Sequence, residues 1–287
     1  MRKILFEIPI PLLQKTIPVY SYGFMLMIAF LIAIYLARWR AQKENIDPGK
    51  ITDLGIYMLC GGIFGARLFF VIQFFDSYKD DLLSIFKIYE GGLVYYGGLL
   101  AAFIVGYIFV KKHQWPFLKV LDILIPSGVL GLAFGRIGCF LNGCCFGKIA
   151  SHLPWAVQFP RTTDKMGIID GSPAFLHHYE LGLVQLSDTH SLSIHPTQLY
   201  SFFLNIALFF TLSIFFKYRR KEGEVFLLFG ILYPVIRFFM ESLRGDNPLF
   251  FNYLTIAQII SIFIFAVSLT LFIILRFNVL RTGSISR

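Results

Sequence analysis

Two groups of residues in this chain have types and spacings suited to chemistry on an anion. The first is the run Gly135-Arg136-Ile137-Gly138-Cys139-Phe140-Leu141-Asn142-Gly143-Cys144-Cys145-Phe146-Gly147, which drives an arginine into the end of an apolar, glycine-rich stretch. Arginine at the centre of a membrane helix costs roughly 2.5–3.5 kcal/mol on insertion scales, so one held near the bilayer faces an anionic partner or a polar cavity. The second is Arg237, Glu241 and Arg244, whose i, i+4, i+7 spacing stacks two cations and one anion on one helix face. That trio alone reads equally well as a self-neutralising packing network. With Arg136 added, the cluster carries surplus positive charge, which suits an anionic headgroup: a planar guanidinium bonds two phosphate oxygens at once and keeps its charge where lysine need not.

Cys139, Cys144 and Cys145 form a C-x4-C-C cluster, with Cys60 alone in the second apolar stretch. Zinc ligation with His152, a disulfide from Cys139 to Cys144 or Cys145, and buried unpaired thiols are all open readings. The spacing is not the usual C-x2-C pair of zinc sites, and the expectation is a site with neither metal nor cofactor. His113 lies beside Lys111 and Lys112, and His177, His178 and His190 have no ligand or triad spacing, so surface positions are expected for all four. Arg67, in the second apolar stretch, either joins the cluster or serves elsewhere.

Membrane helices must position these groups. The 287 residues are 56% hydrophobic and 15% charged, with 33 Phe, which excludes an ordinary soluble domain. The net charge is +9, but Lys and Arg sit in short loops between apolar stretches rather than on one basic face, which argues against nucleic acid as a partner. About 20 apolar residues cross a hydrocarbon core about 30 Å thick. Seven stretches qualify: 19–39, 53–75, 92–110, 118–134, 198–216, 225–243 and 253–275. The fourth carries Asp122 and Pro126, and the third opens with Gly97-Gly98 after two tyrosines; both belong inside a bundle. Small residues at Gly61/Gly65 and Gly131/Gly135 mark close helix contacts.

One set of loops gathers Arg38, Arg40, Lys43, Lys50, Lys111, Lys112, Lys119, Lys217, Arg219, Arg220, Lys221, Arg276, Arg281 and Arg287; the opposite short loops carry only Lys79, Lys87 and Arg244. By the positive-inside rule the C-terminus is cytoplasmic and the N-terminus outside. Glu7, Pro9 and Pro11 interrupt any apolar run before Lys15, so no cleaved signal peptide is expected. The polar segment 139–196 becomes a small outer head or arm of a single integral membrane domain covering 1–287, with a short strand at 155–159. In this orientation Tyr22, Tyr96, Arg136, His195, Arg237, Glu241 and Arg244 all fall on the outer side at similar depth. The expected fold class is an all-α polytopic membrane protein of about seven transmembrane helices.

The 135–147 run resembles the signature of the bacterial prolipoprotein diacylglyceryl transferases. Tyr22-Gly23, Gly97-Gly98, His195-Pro-Thr-Gln-Leu-Tyr200 and Tyr233-Pro-Val-Ile-Arg237-Phe-Phe-Met-Glu241-Ser-Leu-Arg244 are similar to further blocks of that family, in the same order. The resemblance implies transfer of diacylglycerol from phosphatidylglycerol to the lipobox cysteine thiol of prolipoproteins. A thioether forms and sn-glycerol 1-phosphate leaves, the first step of lipoprotein maturation. It also implies a multi-pass protein of the bacterial inner (cytoplasmic) membrane. Its partners would be phosphatidylglycerol, the prolipoprotein signal peptide and membrane lipids.

Residue by residue, the resemblance implies that Arg136 and Arg237 hold the phosphate, that Asn142 and Gly147 shape the turn around it, and that Tyr22, Tyr233, Glu241 and Arg244 complete the cavity. The chain departs from the family pattern at Tyr96, where a histidine precedes the Gly-Gly pair, and at Cys139 and Cys144, which replace asparagine and glutamate. A phenol, with an ordinary pKa of about 10, is a poor base at neutral pH, so the proton falls to Tyr96 or His195. Two rival readings stay open at this point: a noncatalytic lipid-binding relative, and an anionic-solute transporter. The second expects polar groups at the midplane or through the membrane.

Overall fold

The computed structural model describes residues 3–10, 15–79, 81–87, 91–161, 171–246 and 253–282. Pro11, Arg287 and positions 162–170 of the expected arm lie outside them. Among the described residues are a hairpin, β1 (Ile4–Ile10) and β2 (Lys15–Tyr20), and eight α-helices. These are α1 (Ser21–Lys43), α2 (Pro48–Gln73), α3 (Tyr95–Lys112), α4 (Phe117–Asn142), α5 (Pro173–Glu180), α6 (Thr197–Tyr218), α7 (Glu224–Ser242) and α8 (Ile256–Thr282).

Local chemistry sets several helix starts. Asp47 accepts a hydrogen bond from the Gly49 amide with Pro48 at the first helical position of α2, and Ser172 with Pro173 does the same for α5 through the Phe175 amide, where a lost proline N–H costs nothing. Thr255 and Gln258 exchange backbone-to-side-chain bonds of 2.9 and 3.3 Å at the head of α8, a reciprocal capping box.

Six of the helices, α1, α2, α4, α6, α7 and α8, are long and apolar enough to cross a membrane by length and composition. The chain is a polytopic membrane protein. α3 forms where a seventh span is expected but is not one of the six: it has only 18 residues, and Tyr95 and Tyr96 at one end with Lys111 and Lys112 at the other dilute its apolar content. α4 runs eight residues past the expected end at 134, so Arg136 lies within the helix rather than beyond it.

The chain divides into two compact units, residues 34–123 and residues 1–33 with 124–287. In the first, α2 and α3 pack through glycine. Gly65 faces Ala101 and the Gly97 carbonyl, and a Cβ on Gly97 would come within 2.8 Å of the Gly65 carbonyl. The Gly61/Gly65 expectation holds here for the reason given, close backbone approach. Arg67 serves structure: it donates to the carbonyls of Ile85 (2.8 Å), Ser84 (2.9 Å), Gly91 (2.8 Å) and Gly92 (3.2 Å). A buried guanidinium is thereby satisfied by loop backbone rather than by an anion.

In the second unit, Val129, Leu208, Leu212 and Val225 form a core shared by α4, α6 and α7. A smaller core of Phe146, Phe159, Ala174 and Ile194 supports the segment between α4 and α6. The strand expected at 155–159 reduces to a single bridge, Val157 to Ile194. His178, expected at the surface, is buried and accepts a 3.2 Å bond from the Leu192 amide; burial, with His177 adjacent, lowers its pKa.

Candidate active site

The site begins at the C-terminus of α4. Gly143, at φ +78°, stops the helix: its amide reaches Phe140 O at 3.3 Å and the Cys144 amide reaches Cys139 O at 3.1 Å. This is a left-handed cap that suits glycine. Arg136 stands two turns earlier, half-buried. A Cβ on Gly138 would lie 3.1 Å from Tyr22 Cδ2 and 3.2 Å from Met25 Cβ, so this glycine lets α1 close on α4. Tyr22 consequently interacts electrostatically with Arg136, Cys139, Cys144 and Cys145. The Gly131 and Gly135 expectation is corrected: a Cβ there would meet its nearest atoms at 3.8 and 3.9 Å, ordinary contact. The tight approach belongs to Gly138.

The loop after α4 is pinned from two sides. Thr197 Oγ1 donates to Cys145 O at 2.9 Å and Gln198 Nε2 to Cys144 O at 2.8 Å. The Gly147 amide donates to His195 O at 3.2 Å, the Lys148 amide to Leu243 O at 2.8 Å, and the Gly245 amide to Phe146 O at 3.3 Å. Gly147 and Arg244 thus bridge antiparallel, which carries the end of α7 to the end of α4. A Cβ on Gly147 would fall 2.5 Å from His195 Cβ and 2.6 Å from His195 O. Gly147→Ala is therefore expected to cost about 1–3 kcal/mol through overpacking, because backbone cannot swing aside; a lowered thermal unfolding midpoint in detergent checks it.

The three arginines differ in their partners. Arg237 Nη2 lies 2.8 Å from Glu241 Oε2, with the Glu241 side chain 1% exposed. The expected i, i+4 pair therefore forms, but the third member of the face does not: α7 ends at Ser242, and Arg244 lies beyond it, holding Asp246 through two bonds of 2.8 Å. Asp246 was not foreseen; its acidic side chain two residues after Arg244 was the available signal. Glu241 and Cys145 still interact electrostatically with Arg244. Arg136 has no carboxylate partner among the described residues.

Asn142 interacts with the Cys144 side chain, whose thiol donates to Cys139 O at 3.8 Å. Hydrogen bonds from Cys139 and Cys144, then the charges of Arg244 and Arg136, pull the Cys145 thiol below its ordinary pKa despite burial. Electrostatic contacts run from Tyr22 and Arg136 through the cysteines to Arg244, Glu241 and Arg237. His195 is joined to them through Gly147, and its Nδ1 lies 3.5 Å from the Tyr200 hydroxyl, which accepts from Trp155 Nε1 at 2.7 Å. Burial and the nearby His152 lower the His195 pKa.

Tyr233, expected in the polar cavity, instead stacks on Phe229 at 5.1 Å and packs on the Val129–Val225 core, because its place in α7 faces α4 and α6. Tyr96 belongs to the other compact unit, with its ring 70% exposed and edge-on to Tyr95.

Long apolar helices whose ends gather three guanidiniums, one of them with no carboxylate partner among the described residues, define a polytopic membrane protein with a cationic cluster. A family model described as prolipoprotein diacylglyceryl transferase matches residues 9–274. The chain belongs to that family. Proteins named phosphatidylglycerol--prolipoprotein diacylglyceryl transferase are similar to it in Clostridium tetani, at 33% identity over 97% of this chain and 99% of that protein, and in Finegoldia magna, at 34% over 86% and 87%. The Thermotoga maritima protein of the same name is 33% identical over 89% of this chain and 80% of its own length.

Proposed function

We propose that this chain transfers the diacylglyceryl group of phosphatidylglycerol to the lipobox cysteine thiol of prolipoproteins, forming a thioether and releasing sn-glycerol 1-phosphate. Arg136, the arginine of the cluster with no carboxylate partner among the described residues, carries this reading. An unneutralised guanidinium at the end of a membrane helix is held there against a cost, and a phosphodiester headgroup supplies its anion. The names of the relatives supply the two substrates.

The thiolate attacks the glycerol carbon, and the C–O bond to phosphate breaks with its electron pair. Charge grows on the departing phosphate, where Arg136 and Arg237 stabilise it; such preorganised donors act best where water is scarce. Glu241 and Asp246 hold Arg237 and Arg244 in place, while Asn142 and Gly147 shape the turn and Tyr22 borders the headgroup. An apolar groove between α7 and α8, lined by Phe238, Phe239, Ile262 and Phe265, follows Arg237 in α7 and suits an acyl chain. The thiol, with an ordinary pKa of about 8.5, needs only a weak base. His195, kept neutral, accepts its proton, and Tyr96 is the alternative. The chain acts as one integral domain of the bacterial cytoplasmic membrane; with α3 crossing as a seventh span, its C-terminus is cytoplasmic and both N-terminus and 139–196 arm are outside.

Purified protein in detergent, given phosphatidylglycerol and a synthetic lipobox peptide, should add a diacylglyceryl mass to the peptide thiol and release glycerol phosphate. His195→Gln should slow transfer about 10²-fold at neutral pH, with Tyr96→Phe close to wild type; the reverse pattern assigns the proton to Tyr96. No transfer while phosphatidylglycerol still binds would make the protein a noncatalytic lipid binder.

A further inference from the structure

Three thiols that the transfer chemistry leaves unused meet at one point. Cys139 comes from the last turn of α4, and Cys144 and Cys145 from the capped turn after it; their Sγ atoms all lie within 4.8 Å of one another. All three are free thiols. The backbone that presents them is fixed: Gln198 and Thr197 hold the Cys144 and Cys145 carbonyls, and Cys145 occupies the left-handed region at φ +57°, a conformation costly for a non-glycine residue and kept only where surrounding contacts impose it.

A disulfide needs two sulfurs, whereas three converge here. A soft divalent ion bound at about 2.3 Å by three thiolates sets its sulfurs roughly 3.8–4.0 Å apart, which the cluster accommodates. Three thiolates around a divalent ion leave one negative charge, and Arg136 and Arg244 interact electrostatically with Cys145, so that charge is compensated. Soft thiolate donors select thiophilic ions over magnesium or calcium.

We propose that Cys139, Cys144 and Cys145 form a three-sulfur site for a thiophilic metal ion such as Zn²⁺, and that its occupancy engages Arg136 and inhibits headgroup binding. Binding of the ion stands independently of the transferase reading; the inhibition rests on it. Each thiol releases its proton on binding, three sulfur–metal bonds form, and no electron is transferred.

Full-length protein in detergent, reduced and then freed of reductant under anaerobic conditions, is titrated with Cd²⁺ alone. Thiolate-to-cadmium charge-transfer absorbance should rise to one equivalent per chain, with one cadmium retained by elemental analysis after desalting. Cys139→Ser and Cys144→Ser should each lose the band while keeping the wild-type elution volume and thermal midpoint, and Cys60→Ser should keep it. An absent band in protein whose thiols react fully with a thiol reagent overturns the site. So does a band unchanged in both serine variants. Zn²⁺ should inhibit transfer by wild type and spare Cys144→Ser; cadmium binding without zinc inhibition overturns the inhibitory half alone.

Discussion

Arg136→Ala lowers diacylglyceryl transfer by roughly 10²–10³-fold, the usual effect of removing one preorganised donor from a developing anion, and leaves the thermal midpoint close to wild type. The two halves of this expectation come from the same observation. Arg136 pairs with no carboxylate among the described residues, so its removal strands no buried carboxylate, and the lost function is that of binding something external. Arg237→Ala and Arg244→Ala differ in kind: they leave Glu241 and Asp246 without the guanidiniums that hold them, and lose stability together with activity. Arg136→Lys keeps the charge but not the two-pronged geometry, and recovers only part of the rate. Parallel turnover and thermal unfolding assays in one detergent separate these outcomes. Wild-type turnover in Arg136→Ala would remove Arg136 from the chemistry.

Glu241→Gln is expected to destabilise the protein by about 3 kcal/mol. Breaking a buried ion pair by removing one partner costs about 3–5 kcal/mol, and the 24% exposure of the Arg237 side chain places this case at the lower end. Glutamine keeps the volume and a hydrogen-bonding oxygen, so the loss isolates the charge. The variant should also respond more strongly than wild type to added glycerol phosphate. With Glu241 neutral, Arg237 loses the charge that faces it while Asp246 stays on Arg244, and an added anion stabilises the folded state by mass action. A thermal midpoint unmoved by the substitution, or equal phosphate stabilisation of both proteins, would assign Glu241 no part in balancing the arginines.

Sequence periodicity and order carried a long way here. Apolar length placed most helix ends to within a few residues, the i, i+4 spacing of Arg237 and Glu241 produced the observed pair, and the motif blocks pointed to the family whose model matches. The errors lie where a boundary or a partner is set by something other than apolar length and helix periodicity. The extent of α4 past Arg136 was missed because apolar length ends at 134 while helical hydrogen bonding continues until Gly143 caps it. Arg244 shares a face with Arg237 and Glu241 only if α7 persists, and the helix stops at Ser242. Tyr233 was drawn toward the polar cavity by its motif, but the packing of α7 on α4 and α6 turns it into the core. Arg67 could not be placed from sequence, since its four acceptors are carbonyls of a loop, and a carbonyl looks the same in every residue.

By itself, then, the sequence determined that this is a membrane bundle with an arginine-rich cluster, because hydropathy, charge spacing and motif order are local properties that survive without coordinates. Only the tertiary structure decided which carboxylate each arginine meets among the described residues. Glu241 reaches Arg237 within one helix, but Asp246 reaches Arg244 through a turn whose direction is set by Gly147, His195 and Gly245 closing on one another. Whether a charge is neutralised depends on distances of a few ångströms, and even between groups close in sequence those distances are set only once the chain has packed.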